Sequence, residues 1–178
     1  MAGYHNLPQD SSESVDGEGW LHTGDIGNLD ERGFLRITDR KTDLFKTSNG
    51  KPVAPSAIES IFQGVCPYAS QLIVHGEGRN FVTALVTLDP DAMVGWAAEN
   101  DLAGMPYAEL VRSPAAREMV QGYLDELNAK LNHWETIKKF IILPRDLSVE
   151  DGDLTPSMKL KRRVVGVKYK DELDSLYP

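Results

Sequence analysis

The sequence predicts an α+β domain that mixes helices with short strands and antiparallel hairpins. Apolar, β-branched runs at residues 71–75 and 81–88 flank a glycine-rich turn, which is the pattern of a β-hairpin. A stretch that starts at Pro114 carries apolar residues at helical spacing. The 178 residues are 41% hydrophobic and 26% charged, which is typical of a folded globular protein.

The first 33 residues differ in composition from the rest of the chain. They hold seven acidic residues against one basic residue, with no sustained periodicity, so we expect extended, turn-rich chain. Two strands are predicted next, at 33–38 and 44–47, and the turn signal Ser48-Asn49-Gly50 closes the second. The charged connector at 39–43 is either a solvated turn or exposed backbone with a function.

A capping-box pattern predicts the first helix of the longer part of the chain. Pro55 and Ser56 are followed by Glu59, three residues after the serine. The apolar residues of this helix include Ile58 and Phe62 at helical spacing. We therefore expect a helix that starts near Ser56 and turns one face toward the core.

The remaining elements complete the α+β pattern. The turn at 76–80 contains two glycines, but a strand follows it in place of the helix N-terminus that a phosphate-binding loop needs. Helices are predicted at 92–99 and from Pro114, a strand at 140–143, and a terminal helix from Val164. The long helix carries a core-forming stripe of Met119, Val120, Tyr123, Leu124, Leu127 and Leu131.

Composition bears on location and partners. The formal net charge is −8 and the pI is about 5.0, so nucleic acid is not an expected partner. The single cysteine, Cys66, has no intrachain disulfide partner and is predicted to be a buried thiol. The sequence contains no run of about 18 apolar residues and no signal-peptide pattern. We therefore expect a cytoplasmic protein whose contact with membranes is at most peripheral.

Three local motifs point beyond a generic α+β domain. In chain order they are Gly19-Trp20-Leu21-His22-Thr23-Gly24-Asp25, Thr38-Asp39-Arg40-Lys41-Thr42-Asp43-Leu44 and Leu154-Thr155-Pro156-Ser157-Met158-Lys159-Leu160-Lys161-Arg162-Arg163. Together they resemble the C-terminal portion of the adenylate-forming superfamily, and within it the long-chain fatty acid–CoA ligases. The resemblance runs from about Gly3 to the C-terminus. It implies a small mixed domain with a β-hairpin near a hinge and a short central sheet flanked by helices.

The resemblance implies a two-step reaction, in which a fatty acid and ATP form an acyl adenylate and CoA then displaces AMP. Lys159 matches the adenylation lysine, a cation placed where a carboxylate meets a phosphate; otherwise it is a solvated lysine in a basic run. Asp25 matches the ribose ligand, or is simply a turn aspartate. Arg40 matches the arginine that reaches the ribose and phosphate. Its alternative is a surface ion pair with Asp39 or Asp43.

The resemblance also places a hinge at residues 39–44, which includes Asp39, Lys41 and Thr42. One orientation of the C-terminal domain would bring Lys159 into the active site. The other would bring the Ser48-Asn49-Gly50 turn toward the CoA channel, where a glycine lets backbone approach a thin ligand. The same turn is equally compatible with a plain hairpin closure. Thr42 departs from the family, in which lysine or aspartate is usual, and removes a charge from the hinge.

The family's phosphate loop, adenine pocket, Mg-binding glutamate and acyl tunnel belong to a larger N-terminal domain. The resemblance therefore implies that residues 1–38 are the end of that domain, 39–44 the hinge and 45–178 the C-terminal lid domain. The implied partners are the N-terminal domain of the same polypeptide and a fatty acid, with ATP, Mg and CoA, and no metal ligand is expected in this chain. We expect no ligase activity from the chain alone. The alternative is a free-standing, non-catalytic binding module with the same fold.

Overall fold

A computed structural model describes residues 3–178. The chain divides into two compact units, Met1–Leu44 and Phe45–Pro178. The first unit contains one short helix and two strands, whereas the second contains the remaining five strands and six helices among the described residues. Among residues 3–178, no helix has both the length and the apolar composition needed to cross a lipid bilayer.

The first unit is more regular than its composition predicts. It contains α1 (Pro8–Ser14), β1 (Asp25–Leu29) and β2 (Leu35–Arg40), and the two strands pair antiparallel. The expectation of extended, turn-rich chain through residue 33 is therefore wrong for α1, and it did not include the pairing of β1 with β2. Helix α1 escaped prediction because none of its residues is buried, so no apolar stripe marks it.

The predicted strand at 33–38 is shifted toward the hinge. Strand β2 continues through Asp39 and Arg40, so these two residues belong to a strand, and only Lys41–Asp43 form the turn. Asp39 is buried and lies opposite Ile26 in the register, and its carboxylate accepts a hydrogen bond of 2.7 Å from the Arg40 amide. The connector therefore starts two residues later than the charge pattern suggested.

The second unit opens with a short hairpin that matches the predicted one. Strands β3 (Phe45–Lys46) and β4 (Pro52–Val53) pair antiparallel across the Ser48–Gly50 turn. Gly50 has a φ of +72°, a left-handed conformation in which a side chain would be strained. The turn prediction from Ser48-Asn49-Gly50 is confirmed.

Helix α2 (Pro55–Val65) starts earlier than the capping box predicts. Pro55 occupies the first turn and Ala54 is the N-cap, which makes no side-chain cap hydrogen bond. Ser56 therefore lies inside the helix, and the expectation that it caps the helix is wrong. The Glu59 carboxylate instead accepts a hydrogen bond from the Val74 amide. The apolar face is as expected, since Ile58 and Phe62 are buried.

A three-stranded sheet forms the centre of the second unit. Strands β5 (Ala69–His75) and β6 (Val82–Leu88) form the predicted antiparallel hairpin, and β7 (Ile137–Ile142) pairs parallel with β6. The strand order is β5-β6-β7, so β6 is central, and every residue of β6 is buried. A strand buried on both faces must be covered by two layers of side chains.

Helices on one face of the sheet supply the larger core. They are α2, α3 (Pro90–Glu99), α4 (Tyr107–Leu110) and α5 (Pro114–Asn128). Alternate residues of β6 face this core, and from α5 the buried residues Ala116, Val120, Leu124 and Leu127 join it. Cys66 is buried in the same cluster, as predicted, and burial raises the pKa of its thiol. Of the stripe predicted on α5, Val120, Leu124 and Leu127 are core. Met119, Tyr123 and Leu131 pack against the core partly buried, and Leu131 lies beyond the end of the helix.

The other face of the sheet is covered by the C-terminal segment. Helices α6 (Arg162–Lys168) and α7 (Lys170–Ser175) pack there, in place of the single terminal helix that was predicted. Tyr169 separates them, with φ −108° and ψ 29°, because its backbone leaves the helical region. Leu85 of the central strand contacts this second cluster, which includes Leu143, Leu147, Leu154, Val165, Tyr169 and Leu173.

Candidate functional site

The structure brings Asp25 and Arg40 together in the first unit. They lie opposite each other in the β1–β2 register, and the Arg40 Nε lies 3.5 Å from the Asp25 Oδ1. Arg40 therefore pairs across the strands with Asp25, a partner that the alternative of an ion pair with Asp39 or Asp43 did not include. Both side chains remain open to solvent, because 69% of the Arg40 side-chain surface and 33% of the Asp25 side-chain surface are exposed. An exposed carboxylate beside a guanidinium suits a ligand with hydroxyl and anionic groups.

The backbone around Asp25 is held by the motif that precedes it. The Asp16 carboxylate accepts hydrogen bonds from the amides of Glu18 and Trp20 and contacts the His22 ring at 3.2 Å. The bond from Trp20 is the main reason that the pKa of Asp16 lies below its usual value. Gly24 then turns with φ +76°, and its carbonyl accepts a bond of 2.7 Å from the Lys41 amide.

Lys159 lies in a tight loop of the second unit. Leu154 and Leu160 form an isolated antiparallel bridge at the base of the loop. Inside it, the Thr155 amide donates to the Lys159 carbonyl at 2.8 Å, and the Lys159 amide donates to the Thr155 hydroxyl at 3.0 Å. These bonds fix the backbone on both sides of the turn, so Lys159 projects from a defined position instead of a random tail.

The loop presents the ammonium group of Lys159 to solvent. Lys159 is exposed, and within the part of the chain that the structure describes the ion pairs of this region use Arg162 and Lys168 instead. Met158, the residue before it, has a φ of +61°, a conformation that non-glycine residues adopt rarely. Backbone strain of this kind clusters at active sites, ligand-binding loops and switch regions.

Two ion-paired residues flank the loop. Before it, Asp153 is fully buried and accepts from Lys168 at 2.6 Å and from Arg145 at 3.4 Å. After it, Arg162 donates to both carboxylate oxygens of Glu59, each at 2.7 Å. A bidentate pair of this kind fixes orientation as well as distance. The two ends of the loop are therefore fixed, one by the ion pairs of Asp153 and the other by the ion pair of Arg162.

The Ser48–Gly50 turn is fastened to the glycine-rich turn of the central hairpin. The Ser48 hydroxyl donates to the Asn80 side chain at 2.8 Å, and the Ser48 amide donates to the Arg79 carbonyl at 2.9 Å. The Gly78 amide donates in turn to the Lys46 carbonyl at 2.9 Å. The glycine-rich turn at 76–80 thus supports the Ser48–Gly50 turn, and these contacts account for its conformation.

A small cavity adjoins this turn. It has a volume of about 120 Å³ and is lined by Thr47, Asn49, Lys51, Asn80, Phe81, His133, Trp134, Thr136 and Lys138. The Lys51 ammonium lies 5.2 Å from the centre of the Trp134 ring, whose Nε1 donates to the Pro52 carbonyl at 3.2 Å. Cations, amides and an aromatic ring therefore line the space beside Asn49.

No group of three or more His, Cys, Asp or Glu side chains within residues 3–178 is arranged to hold a metal ion. Comparison with known protein families identifies the family to which the domain belongs. The sequence profile described as the AMP-binding enzyme C-terminal domain matches residues 42–178. The chain belongs to this family.

Relatives of the AMP-binding enzyme C-terminal domain found here are much longer proteins. The chain is 38% identical over 178 residues to the long-chain-fatty-acid–CoA ligase FadD15 of Mycobacterium tuberculosis, covering 99% of this chain and 29% of that protein. It is 34% identical to long chain acyl-CoA synthetase 7, peroxisomal, of Arabidopsis thaliana, covering 98% and 25%. The chain therefore spans less than a third of the curated relatives it matches. The resemblance predicted from the three motifs is confirmed.

Solved structures agree with this assignment of the domain. The adenylation domain of a carboxylate reductase from Mycobacterium chelonae superposes with a TM-score of 0.76 and 26% identity, over 98% of this chain and 25% of that one. The corresponding domain from Segniliparus rugosus, in complex with AMP and a co-purified carboxylic acid, gives 0.73 and 25%, over 99% and 26%. The predicted fold class, a small mixed domain with short sheets and flanking helices, is confirmed.

Sequence reasoning missed the residues that hold the loop in place. Asp153 belongs to a short acidic stretch with Glu150 and Asp151, and nothing in the sequence distinguishes it from these two neighbours. The role of Glu59 was taken as helix capping. A signal was present for Arg162, which belongs to the same motif as Lys159. No local signal linked Arg162 to Glu59, because the two are 103 residues apart.

Proposed function

We propose that the chain is the C-terminal lid domain of an ATP-dependent long-chain fatty acid–CoA ligase. Such an enzyme converts a fatty acid, ATP and CoA into acyl-CoA, AMP and diphosphate through an acyl adenylate. The observation that carries the proposal is the position of Lys159, exposed on a loop closed by its own hydrogen bonds, in a chain of this family. The whole enzyme also requires the larger N-terminal domain of the same polypeptide.

Lys159 would act in the first half-reaction. A fatty carboxylate and the α-phosphate of ATP repel each other as they approach, because both are anions. A cation fixed between them lowers the free energy of the transition state, in which charge accumulates on the phosphate oxygens. The bonds between Lys159 and Thr155 hold the backbone from which the side chain extends, so ordering of the loop backbone adds little to the entropy lost when the lysine engages its substrate.

Asp25 and Arg40 would hold the nucleotide. A carboxylate accepts hydrogen bonds from two neighbouring ribose hydroxyls, and a guanidinium supplies several donors to a ribose or phosphate oxygen. Their separation of 3.5 Å across the β1–β2 pair presents both groups to one ligand. Mg would be held with the phosphates by the larger domain. This chain's own contribution is two groups that bind the nucleoside end.

The second half-reaction would use the Ser48-Asn49-Gly50 turn. Rotation about residues 39–44 would withdraw Lys159 and bring this turn to the channel through which CoA enters. The cavity beside Asn49 supports this assignment, because its lysines and aromatic ring suit a ligand with amide and phosphate groups. Thr42, which donates to Asp43 at 3.2 Å, would move with Lys41 in the hinge.

We also infer a cytoplasmic setting, in which contact with a membrane is at most peripheral. The buried Cys66, the single cysteine, supports this setting because nothing in the chain calls for an oxidising compartment. Fractionation of source cells provides the test. We expect the polypeptide in the cytosolic fraction or in the high-salt wash of the membranes. Release from the membranes by detergent alone would contradict this setting.

The first experiment is the intact mass of the native polypeptide, captured with an antibody raised against this chain. A mass several times 19.7 kDa is expected. The substitution Lys159→Ala in that polypeptide should then reduce acyl-adenylate formation about a hundredfold or more. Thioester formation from supplied acyl adenylate should be unchanged. Lys161→Ala, a neighbouring lysine in the same basic run, is the matched control.

Two results, besides unchanged adenylation in Lys159→Ala, would overturn the proposal. A native mass near 19.7 kDa would favour a free-standing binding module. Equal loss in both half-reactions would remove Lys159 from the adenylation step. Asp25→Ala tests the nucleotide site separately, because it should raise the KM for ATP while leaving the KM for CoA unchanged. An unchanged KM for ATP would return Asp25 to the role of a turn residue.

A further inference from the structure

A fully buried carboxylate lies at the base of the Lys159 loop. Asp153 has 0% of its surface exposed and is shared by Lys168 of α6, at 2.6 Å, and Arg145, at 3.4 Å. Arg145 also pairs with Asp151. These cations come from opposite sides of the loop in the chain, so a single side chain joins the segment before the loop to the helix after it.

The backbone of Asp153 is fixed as firmly as its carboxylate. Its amide donates to the Ser148 carbonyl at 3.0 Å, and its carbonyl accepts from the Lys161 amide at 2.9 Å. The bond to Lys161 lies immediately outside the Leu154–Leu160 bridge. Asp153 therefore closes the loop through its main chain and attaches the loop to α6 through its side chain.

The loop needs such an anchor because its backbone is strained near Lys159. Met158 occupies a left-handed conformation that is unfavourable for a non-glycine residue and persists only when the surroundings fix it. Replacing the buried Asp153 carboxylate by a neutral group removes the carboxylate that pairs with Lys168 and leaves Arg145 with Asp151 alone. The loop would then be free to relax away from the conformation in which Lys159 projects.

We propose that Asp153, together with Lys168 and Arg145, is the positioning group that sets the location of Lys159 for adenylation. The inference rests on the proposed function, in which Lys159 acts in the first half-reaction alone. Asp153 touches neither substrate nor reacting atoms in this assignment. Its effect should therefore follow the half-reaction that uses Lys159 and no other.

The test is the substitution Asp153→Asn in the full-length native polypeptide. We expect the kcat of acyl-adenylate formation to fall about tenfold to a hundredfold, with the KM for ATP changed less than about threefold. Thioester formation from supplied acyl adenylate should keep its rate. The matched control is Asp125→Asn, which makes the same change at an exposed carboxylate of α5. Lys159→Ala is measured in parallel.

The outcomes separate the two claims. Loss of adenylation in Lys159→Ala but not in Asp153→Asn overturns the positioning role and leaves the proposed function standing. No loss in Lys159→Ala overturns the proposed function itself. Equal loss of both half-reactions in Asp153→Asn means a purely structural role and also overturns the inference.

A second variant covers the case in which Asp153→Asn does not fold. Lys168→Met removes one cation and leaves Asp153 paired with Arg145. It should lower adenylation selectively by a smaller factor, with faster amide hydrogen exchange at Thr155 and Lys159. Unchanged adenylation in a folded Lys168→Met variant would contradict the proposal.

Discussion

The two units of the chain bury their apolar side chains to very different extents. In the first unit, Trp20 is 70%, Phe34 66% and Leu35 65% exposed, and among residues 3–44 the one buried residue is an aspartate, Asp39. In the second unit, large side chains such as Phe62 are fully buried, and two clusters cover the two faces of one sheet. A few exposed apolar residues are normal on a protein surface. Several of them on one short segment indicate a surface that contacts other protein.

This difference shows which part of the chain carries its own stability. A β-hairpin with one short helix is marginal in water without a buried face. The second unit has strands, helices and a filled core, which is what an independent domain requires. The first unit is therefore expected to take its order from additional protein, in agreement with the proposal that it ends a larger domain.

The largest expected effect comes from separating the units. A fragment of residues 45–178 should unfold in one cooperative transition with native-like circular dichroism, whereas a fragment of residues 1–44 should show no cooperative transition. The measurement is urea unfolding followed by circular dichroism. Cooperative unfolding of the shorter fragment would show that exposed apolar residues do not prevent independent folding.

A smaller effect is expected from single aromatic residues in the two units. Phe62→Ala should lower the free energy of unfolding by about 3–5 kcal/mol, because it leaves a cavity in the core. Phe34→Ala, its match in the first unit, should change it by less than about 0.5 kcal/mol. Urea unfolding of the whole chain measures both. Similar losses for the two variants would mean that Phe34 is buried in solution.

Helix caps give a third, smaller contrast. The Ser113 hydroxyl accepts a hydrogen bond from the Ala116 amide at the start of α5, whereas α1 has no capping side chain. Ser113→Ala should cost about 1 kcal/mol of unfolding free energy, and Ser113→Asp should restore most of it. An unchanged midpoint of urea unfolding for Ser113→Ala would show that the second unit does not depend on this cap.

The smallest expected effect is a pH dependence of the second unit. Burial, with help from Arg79, lowers the pKa of His75 from its usual 6.5, while Asp174 and Glu77 oppose the shift. The unfolded chain then binds a proton at a pH where the folded chain does not. Stability should therefore fall as the pH drops below about 6.5. The measurement is urea unfolding of residues 45–178 between about pH 7.5 and 5.

The matched variant for this pH dependence is His75→Gln, which cannot take up the proton. Its free energy of unfolding should decline less over the same pH range than that of the parent fragment. Equal slopes for the variant and the parent would remove His75 as the source of the effect.

Local patterns in the sequence were sufficient for much of the second unit. The β5–β6 hairpin, helix α5 and the Ser48–Gly50 turn follow from alternation, helical spacing and turn residues, all of which act between near neighbours in the chain. The parallel pairing of β7 with β6 did not follow. An apolar strand carries no mark of the strand that it will pair with, because the partner is chosen by the whole core.

The candidate site divides in the same way. The motifs identified Lys159, Asp25 and Arg40, and the structure added the contact between the last two, which required the unpredicted strand β1. Asp153 could not be identified, because a buried carboxylate and a solvated one look alike in an acidic stretch. Only the fold shows that cations from two sides surround it.

The pairing of β6 with β7 has a consequence for synthesis on the ribosome. The β5–β6 hairpin can form as soon as residue 88 has emerged, but one edge of β6 stays open until Ile137–Ile142 has been made. An apolar strand with an open edge is a template for pairing with other chains. A nascent chain that stalls between these two points should therefore need a chaperone to protect this edge, which closes once residue 142 has emerged.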